Sequence, residues 1–175
     1  MIWLTSDTEF FNSNIIEYAN RPYKDVQEMN DKLVHNWNYL VKESDMVYHL
    51  GNFGRYGIEG CKIYNKLNGR IVLVRGNDDA SLLKLMDMGF DGICDSLTLS
   101  YKQYVFTMTH EPLIDTMFDQ SNHGLINLHG KIRGCKRAFK NRIHVGCDAW
   151  NYQPVSLDEI ISEYKKSRKQ NVLYD

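Results

Sequence analysis

Ile71-Val72-Leu73-Val74-Arg75-Gly76-Asn77-Asp78-Asp79 is the stretch from which the fold can be read. Four consecutive aliphatic side chains, three of them β-branched, make a run too short for a helix and describe a strand buried on both faces. The run ends on a cation, a glycine and three polar side chains. Two other segments follow the same plan: Ile2-Trp3-Leu4-Thr5 closes on Ser6-Asp7, and residues 46–50 close on Gly51-Asn52. Between them, Val26, Met29, Leu33, Trp37, Leu40 and Val41 recur at three- and four-residue steps, one face of an amphipathic helix over residues 25–43. Helices are also expected over residues 61–67, broken by the Asn68-Gly69 turn, and over 81–88.

The second half changes pattern. Residues 97–101 and 104–108 flank Lys102-Gln103 like the arms of a hairpin, and 125–128 and 142–145 add strands. Ser156-Leu157-Asp158-Glu159 is a capping box, opening a helix whose basic end, Lys165-Lys166-Ser167-Arg168-Lys169, matches the helix dipole. Strands alternating with helices, then mostly strands, predict a layered α/β sandwich. In such folds ligand-binding residues gather in loops just past strand C-termini. Here those loops hold Asp7, Asn52, Asn77 and His110.

The chain has 175 residues, enough for a full hydrophobic core, and no linker or repeat divides it, so a single domain over residues 1–175 is expected. Apolar residues make up 43% and charged residues 25%, an ordinary globular balance. The formal net charge of −1 argues against a general nucleic-acid coat and a polybasic membrane binder, which both need long-range attraction to phosphate. Cys61, Cys94, Cys135 and Cys147 form no Cys-x-x-Cys pair, so free thiols are expected, not a disulfide framework or zinc knuckle. The opening segment has no basic region and reaches Asp7 quickly, so neither a signal peptide nor a membrane span is expected, and the expected location is the cytoplasm.

Asp7-Thr8-Glu9-Phe10, Gly51-Asn52-Phe53-Gly54, Gly76-Asn77-Asp78-Asp79, Thr109-His110-Glu111-Pro112 and His129-Gly130-Lys131-Ile132-Arg133 follow one another in an order that resembles a known family. The family is the calcineurin-like metallophosphoesterases, in their small bacterial and phage branch. Their motifs run Asp-x-His, Gly-Asp, Gly-Asn-His-Asp, a lone His and Gly-His-x-His. Asn14-Ile15-Ile16, Arg21-Pro22, Glu28-Met29-Asn30 and Asp148-Ala149-Trp150-Asn151-Tyr152 are similar to the family's scaffold. The resemblance implies a four-layer αββα sandwich with its site at one end of the sheets, in a host cytoplasm if phage-borne. In active members two divalent metals activate water and clamp phosphoryl oxygens, and a histidine helps the leaving group.

Carried over by position, the resemblance leaves Asp7, Asn77 and His110 as retained ligands. Glu9 replaces a histidine and can still offer oxygen. Asn52 replaces the bridging carboxylate with a neutral amide. Asp78 replaces the histidine that serves the leaving group, and Lys131 and Arg133 replace the final histidine pair. Protonated Lys and Arg have no lone pair to give, and Arg stays protonated in proteins. A cation about 4 Å from a divalent ion is repelled by several kcal/mol even at an effective dielectric of about 20. The expectation is therefore that the dinuclear metal site is lost, no cofactor remains and the chain is not an enzyme.

The expected function is binding of a phosphorylated small molecule, a nucleotide or cyclic nucleotide, one setting being a phage sponge for a host signalling molecule. Lys131 and Arg133 would act as fixed cations in place of metal, with Asn52, Asn77, His110 and His129 lining the pocket. Asp7, Glu9 and Asp78 would neutralise the two cations from early loops, and His110 and His129 would add donors. Simple decay of a dead site, a protein-interaction module, homo-oligomerisation and a residual one-metal phosphoesterase stay open. His35 reads as surface, His49 as a satisfied core histidine, and Trp37, Tyr39, Trp150 and Tyr152 as core.

Overall fold

The computed structural model describes residues 1–114, 125–131 and 138–171. With elements numbered in chain order, the first sheet carries β1 (Ile2–Thr5), β2 (Met46–His49), β3 (Arg70–Val74) and β4 (Gly92–Cys94) side by side and parallel. The short β10 (Val155–Ser156) closes its β1 edge antiparallel. The second sheet runs in the order β5 (Leu97–Tyr101), β6 (Tyr104–Thr109), β7 (Leu125–His129), β9 (Arg142–His144) and β8 (Ala138–Phe139). Within it β6, β7 and β9 are parallel, and β5 and β8 are antiparallel edges. Helices flank the pair of sheets: α1 (Asn14–Tyr18), α2 (Val26–Leu40), α3 (Ile58–Tyr64), α4 (Leu82–Met86) and α5 (Leu157–Asn171). This is the expected αββα sandwich. Among the described residues no helix is long and apolar enough to cross a membrane.

The continuous apolar runs have their reason in burial on both faces. Trp3, Val47, Ile71 and Leu73 pack on one side with Met29, Leu33 and Trp37 of α2, Ile63 of α3 and Leu85 of α4. Leu4, Leu50 and Val74 point the other way, into a second core with Phe106, Met108, Ile126, Leu128 and Ile143. Leu157, Ile160, Ile161 and Tyr164 of α5 close that second core. The capping box forms as expected: Ser156 N–H and Oγ–H reach Glu159 Oε2, and Glu159 N–H returns to Ser156 Oγ.

Boundaries move where local chemistry overrides periodicity. Asp25 caps α2 by accepting the Glu28 N–H at 2.8 Å, and the helix stops at Leu40 because Val41 turns extended. The helix expected over 61–67 begins earlier, at Ile58, just after Gly57 in a positive-φ conformation. Helix α1 and strands β4, β8 and β10, each of two to five residues, are too short to leave a periodic signal. Tyr39, expected in the core, is exposed and lies against His35. His49 is buried as expected but only half satisfied: Nε2 meets Thr8 Oγ at 2.9 Å, while Nδ1 has no partner among the described residues.

Arg21 is the fixture that holds the β1 loop. Its guanidinium grips both carboxylate oxygens of Asp148, at 2.9 and 2.7 Å, and donates to the carbonyls of Asp7 at 2.6 Å and Thr8 at 3.0 Å. The side chain is fully buried. Removing one partner of a buried ion pair strands the other, at a cost of about 3–5 kcal/mol. Arg21→Ala is therefore expected to lower unfolding free energy by about that amount in urea denaturation, far more than Arg55→Ala at the exposed Arg55–Glu59 pair.

Burial also lowers the His49 pKa, to about 3, because the ring cannot be hydrated when charged. The unfolded chain, with a histidine near 6.5, binds that proton more readily. Its contribution to stability is present above about pH 6.5 and is lost as pH falls toward 3. His49→Phe is expected to flatten the decline of melting temperature with acidification across that window; an unchanged slope would contradict it.

Candidate functional site

The loops after β1, β2, β3, β6 and β7 meet at one end of the two sheets. Backbone bonds tie them: Asp7 N–H to Gly51 O, Glu9 N–H to Asn52 O and Gly130 N–H to His110 O, all within 2.9–3.1 Å. His110, from the second sheet, reaches Leu50 O of the first with Nδ1 at 2.7 Å, so the site is also the seam between the sheets. The loops approach too closely for side chains at two glycines. A Cβ at Gly76 would lie 2.4 Å from Asn52 Oδ1, and one at Gly130 would lie 2.6 Å from Ser6 Oγ.

Asp7, Glu9, Asn52 and Lys131 all hold left-handed backbone, with φ between 54° and 59°. Asparagine accepts this region; Glu and Lys do so at a cost of about 1 kcal/mol or more each. That unfavourable geometry is maintained by the contacts around it. It aims side chains from separate loops at one place, and nothing in residue type announces it.

Asp7 is buried, and its Oδ2 accepts from Ser6 Oγ at 2.6 Å and from Lys131 N–H at 3.0 Å. Its Oδ1 is buried with no partner among the described residues, and burial raises the carboxyl pKa. Glu9, also buried, accepts from the Asn12 side-chain amide at 2.9 Å. Asn52 and Asp78 clasp each other: Asn52 Nδ2 donates to Asp78 Oδ2 at 3.3 Å, and Asp78 N–H donates to Asn52 Oδ1 at 3.2 Å. Asn77 Nδ2 donates to the other oxygen of Asp78 at 2.8 Å.

Two expectations are corrected. Lys131 does not turn to Asp7, Glu9 or Asp78; its Nζ pairs with Glu111. Only its backbone N–H serves Asp7, and the exposed carboxylate of Glu111 leaves both charges hydrated, which buried Asp7 and Glu9 could not. His129 adds no donor to the site, because its Nδ1–H is engaged by Gly130 O at 2.9 Å and burial lowers its pKa, leaving a neutral ring. It stacks on buried His144, whose pKa burial lowers to about 4. Arg133 lies outside the described residues.

Asp79 was passed over as a candidate, yet it organises the floor. One of its oxygens accepts Phe53 N–H, and the other accepts Asn52 N–H and Gly76 N–H, all within 2.7–2.9 Å. Its signal was in the sequence: it is the unchanged last residue of the Gly-Asn-x-Asp motif. Beside His110 and Asn77 opens a cleft of about 490 Å³, also lined by Arg75, Asp95, Thr109, Glu111 and the apolar Pro112, Leu113 and Ile114.

His110 meets oxygen acceptors with both ring nitrogens: Leu50 O with Nδ1 and Asn77 Oδ1 with Nε2, the latter at 3.0 Å. Asn77 Nδ2 donates to Asp78, so its carbonyl oxygen is the atom that faces the ring. Which ring nitrogen donates is set by the tautomer, and the two contacts together fix the ring at the cleft floor.

The residues present do not fit a pair of metal ions. A bridging ligand must share lone pairs between two cations, and the Asn52 amide oxygen already accepts from Asp78 N–H. Lys131 brings a positive charge and no lone pair to a ligand position. No group of three His, Cys, Asp or Glu side chains among the described residues is placed to share an ion.

No family model matches the sequence. The uncharacterized protein MJ1445 of Methanocaldococcus jannaschii is 32% identical over 184 residues, covering 99% of this chain and 97% of its own length. Among solved structures, the protein of unknown function AQ665 from Aquifex aeolicus superposes with a TM-score of 0.74 at 24% identity, over 93% of this chain and 98% of that one. A novel archaeal phosphodiesterase superposes with a TM-score of 0.53 at 18% identity, over 85% and 86% of the two chains. The structural likenesses concern the fold alone.

Titration with manganese and zinc, followed by calorimetry and elemental analysis after desalting, is expected to give well under two ions per chain. Binding of two ions, abolished together by Asp7→Ala, would overturn the reading of the donor set.

Proposed function

We propose, from the premise that this chain belongs to one family with MJ1445 and has the calcineurin-like phosphoesterase fold, that its site binds a phosphorylated small molecule, a nucleotide, without a dinuclear metal and without hydrolysing it. The observation that carries the reading is Lys131, a cation at a position where the motif has a metal-binding histidine, held by the exposed carboxylate of Glu111 in the lining of an open cleft. In a two-metal enzyme that position would offer a lone pair. Here a cation stands where anionic phosphate would lie, as metal would have stood.

The contact that holds Lys131 is weak. Its pair with Glu111 is solvent-exposed, and such pairs contribute about 0–1 kcal/mol, so a phosphate can draw the ammonium away cheaply. Arg133 would add a second cation by its place in the motif. Turnover lacks its parts in this arrangement. Both Asp78 oxygens are engaged by amide N–H groups, and the position carries no imidazole to serve a leaving alkoxide. A second reading, an interaction module on an inactive scaffold, is favoured by the exposed Ile58, Leu83 and Met86 of α3 and α4.

Calorimetry with mono-, di- and cyclic nucleotides in excess chelator decides between them. Binding is expected to persist without metal and to weaken as salt rises. Arg133→Ala removes the second cation of the motif and is expected to cost about 1.5–3 kcal/mol, roughly ten- to hundredfold in affinity. Lys131→Ala is expected to cost less, being a flexible point charge. Binding that appears only with added metal, or nucleotide cleavage abolished by chelator, would reverse the proposal. No binding at all would favour the interaction module.

A further inference from the structure

We infer that the ligand of this site is anionic at two ends, and that Arg75 receives the second anionic group by exchanging Asp95 for it. The inference rests on the phosphate-binding reading above and extends it from a charge to a ligand class: a nucleotide with phosphates on two sides, such as a nucleoside bisphosphate or a dinucleotide.

Size is the first ground. The cleft of about 490 Å³ falls in the range that holds whole small molecules, and a single phosphate would fill little of it. Wall chemistry is the second. From the His110–Asn77 floor the lining includes Arg75 and Asp95, and the apolar Pro112, Leu113 and Ile114. Arg75 in the wall, Lys131 on the Glu111 of the lining and apolar surface in the same cleft suit phosphate, phosphate and base.

The third ground is the state of Arg75 itself. Its Nε and Nη2 both donate to the same oxygen, Asp95 Oδ1, at 2.8 and 2.5 Å. A guanidinium fork is matched by two acceptor oxygens side by side, so this carboxylate uses the fork poorly and a phosphate would use it fully. The acid is 76% exposed and Arg75 31% exposed, so water receives the displaced carboxylate at little cost. Lys131, paired with the Glu111 of the lining, repeats the device, with exposures of 41% and 63%. Each of the two cations is neutralised by an acid that an anion can displace.

The test is calorimetry in chelator with inorganic phosphate, adenosine 5′-monophosphate and adenosine 3′,5′-bisphosphate. The bisphosphate is expected to bind about tenfold or more tighter than the monophosphate. Arg75→Ala is expected to erase that advantage while the monophosphate keeps its affinity within about twofold. Asp95→Asn is expected to tighten the bisphosphate about two- to fivefold by freeing the fork, and Glu59→Gln, an exposed acid on α3 outside the cleft lining, to leave it unchanged. If phosphate and monophosphate bind but the bisphosphate gains nothing, or its gain survives Arg75→Ala, the two-ended ligand is overturned and the phosphate site stands. If none of the three probes binds, both readings fall.

Discussion

Arg21 sits fully out of solvent with its guanidinium spread between the Asp148 carboxylate and the backbone carbonyls of Asp7 and Thr8, and the rest of the site hangs from that arrangement. A buried cation is unfavourable unless every donor finds an acceptor and the charge finds its opposite. Here both conditions are met by residues from two distant parts of the chain, with the sulfurs of Met29 and Cys147 and the Tyr152 ring as further neighbours. Because the carbonyls of Asp7 and Thr8 must point at Arg21, the backbone after β1 is turned into the left-handed region at Asp7 and again at Glu9. Their side chains are thereby presented together with those of Asn52 and Asn77. The ion pair is a positioning device whose benefit is delivered at the site.

The same logic explains how the site can lose its chemistry and keep its shape. What holds Asn52 in place is the carboxylate of Asp79, which takes backbone N–H groups from three residues. What holds His110 is the Leu50 carbonyl. Neither anchor depends on whether residue 52 is acidic or residue 131 is basic. The internal clasp of Asn52, Asp78 and Asn77 satisfies these polar groups among themselves.

The sequence made the architecture legible because each β-α step ends on a polar residue, and because strands buried on both faces read as unbroken apolar runs. It made most of the site legible through motif order: Asp7, Glu9, Asn52, Asn77, Asp78 and His110 do converge. Three things it could not show. Which acid takes Lys131 is a question of side-chain reach across loops, and exposed Glu111 wins over buried Asp7 and Glu9 because both charges stay hydrated. His129 looks like a donor by type, yet its ring is spent on its neighbour's carbonyl and packed on His144. Arg75 reads as the end of a strand, and only the fold reveals that it borders the cleft with Asp95.

The left-handed residues have a consequence for descent. Positive φ at Glu9 and Lys131 is an unfavourable backbone conformation that a glycine at either position would relieve. Since backbone and side-chain identity are secured by different contacts, a lineage with this scaffold can exchange one reactive inventory for another in small steps without passing through an unfolded intermediate. Function in such a lineage turns over on the time scale of single codons, while its architecture ages far more slowly.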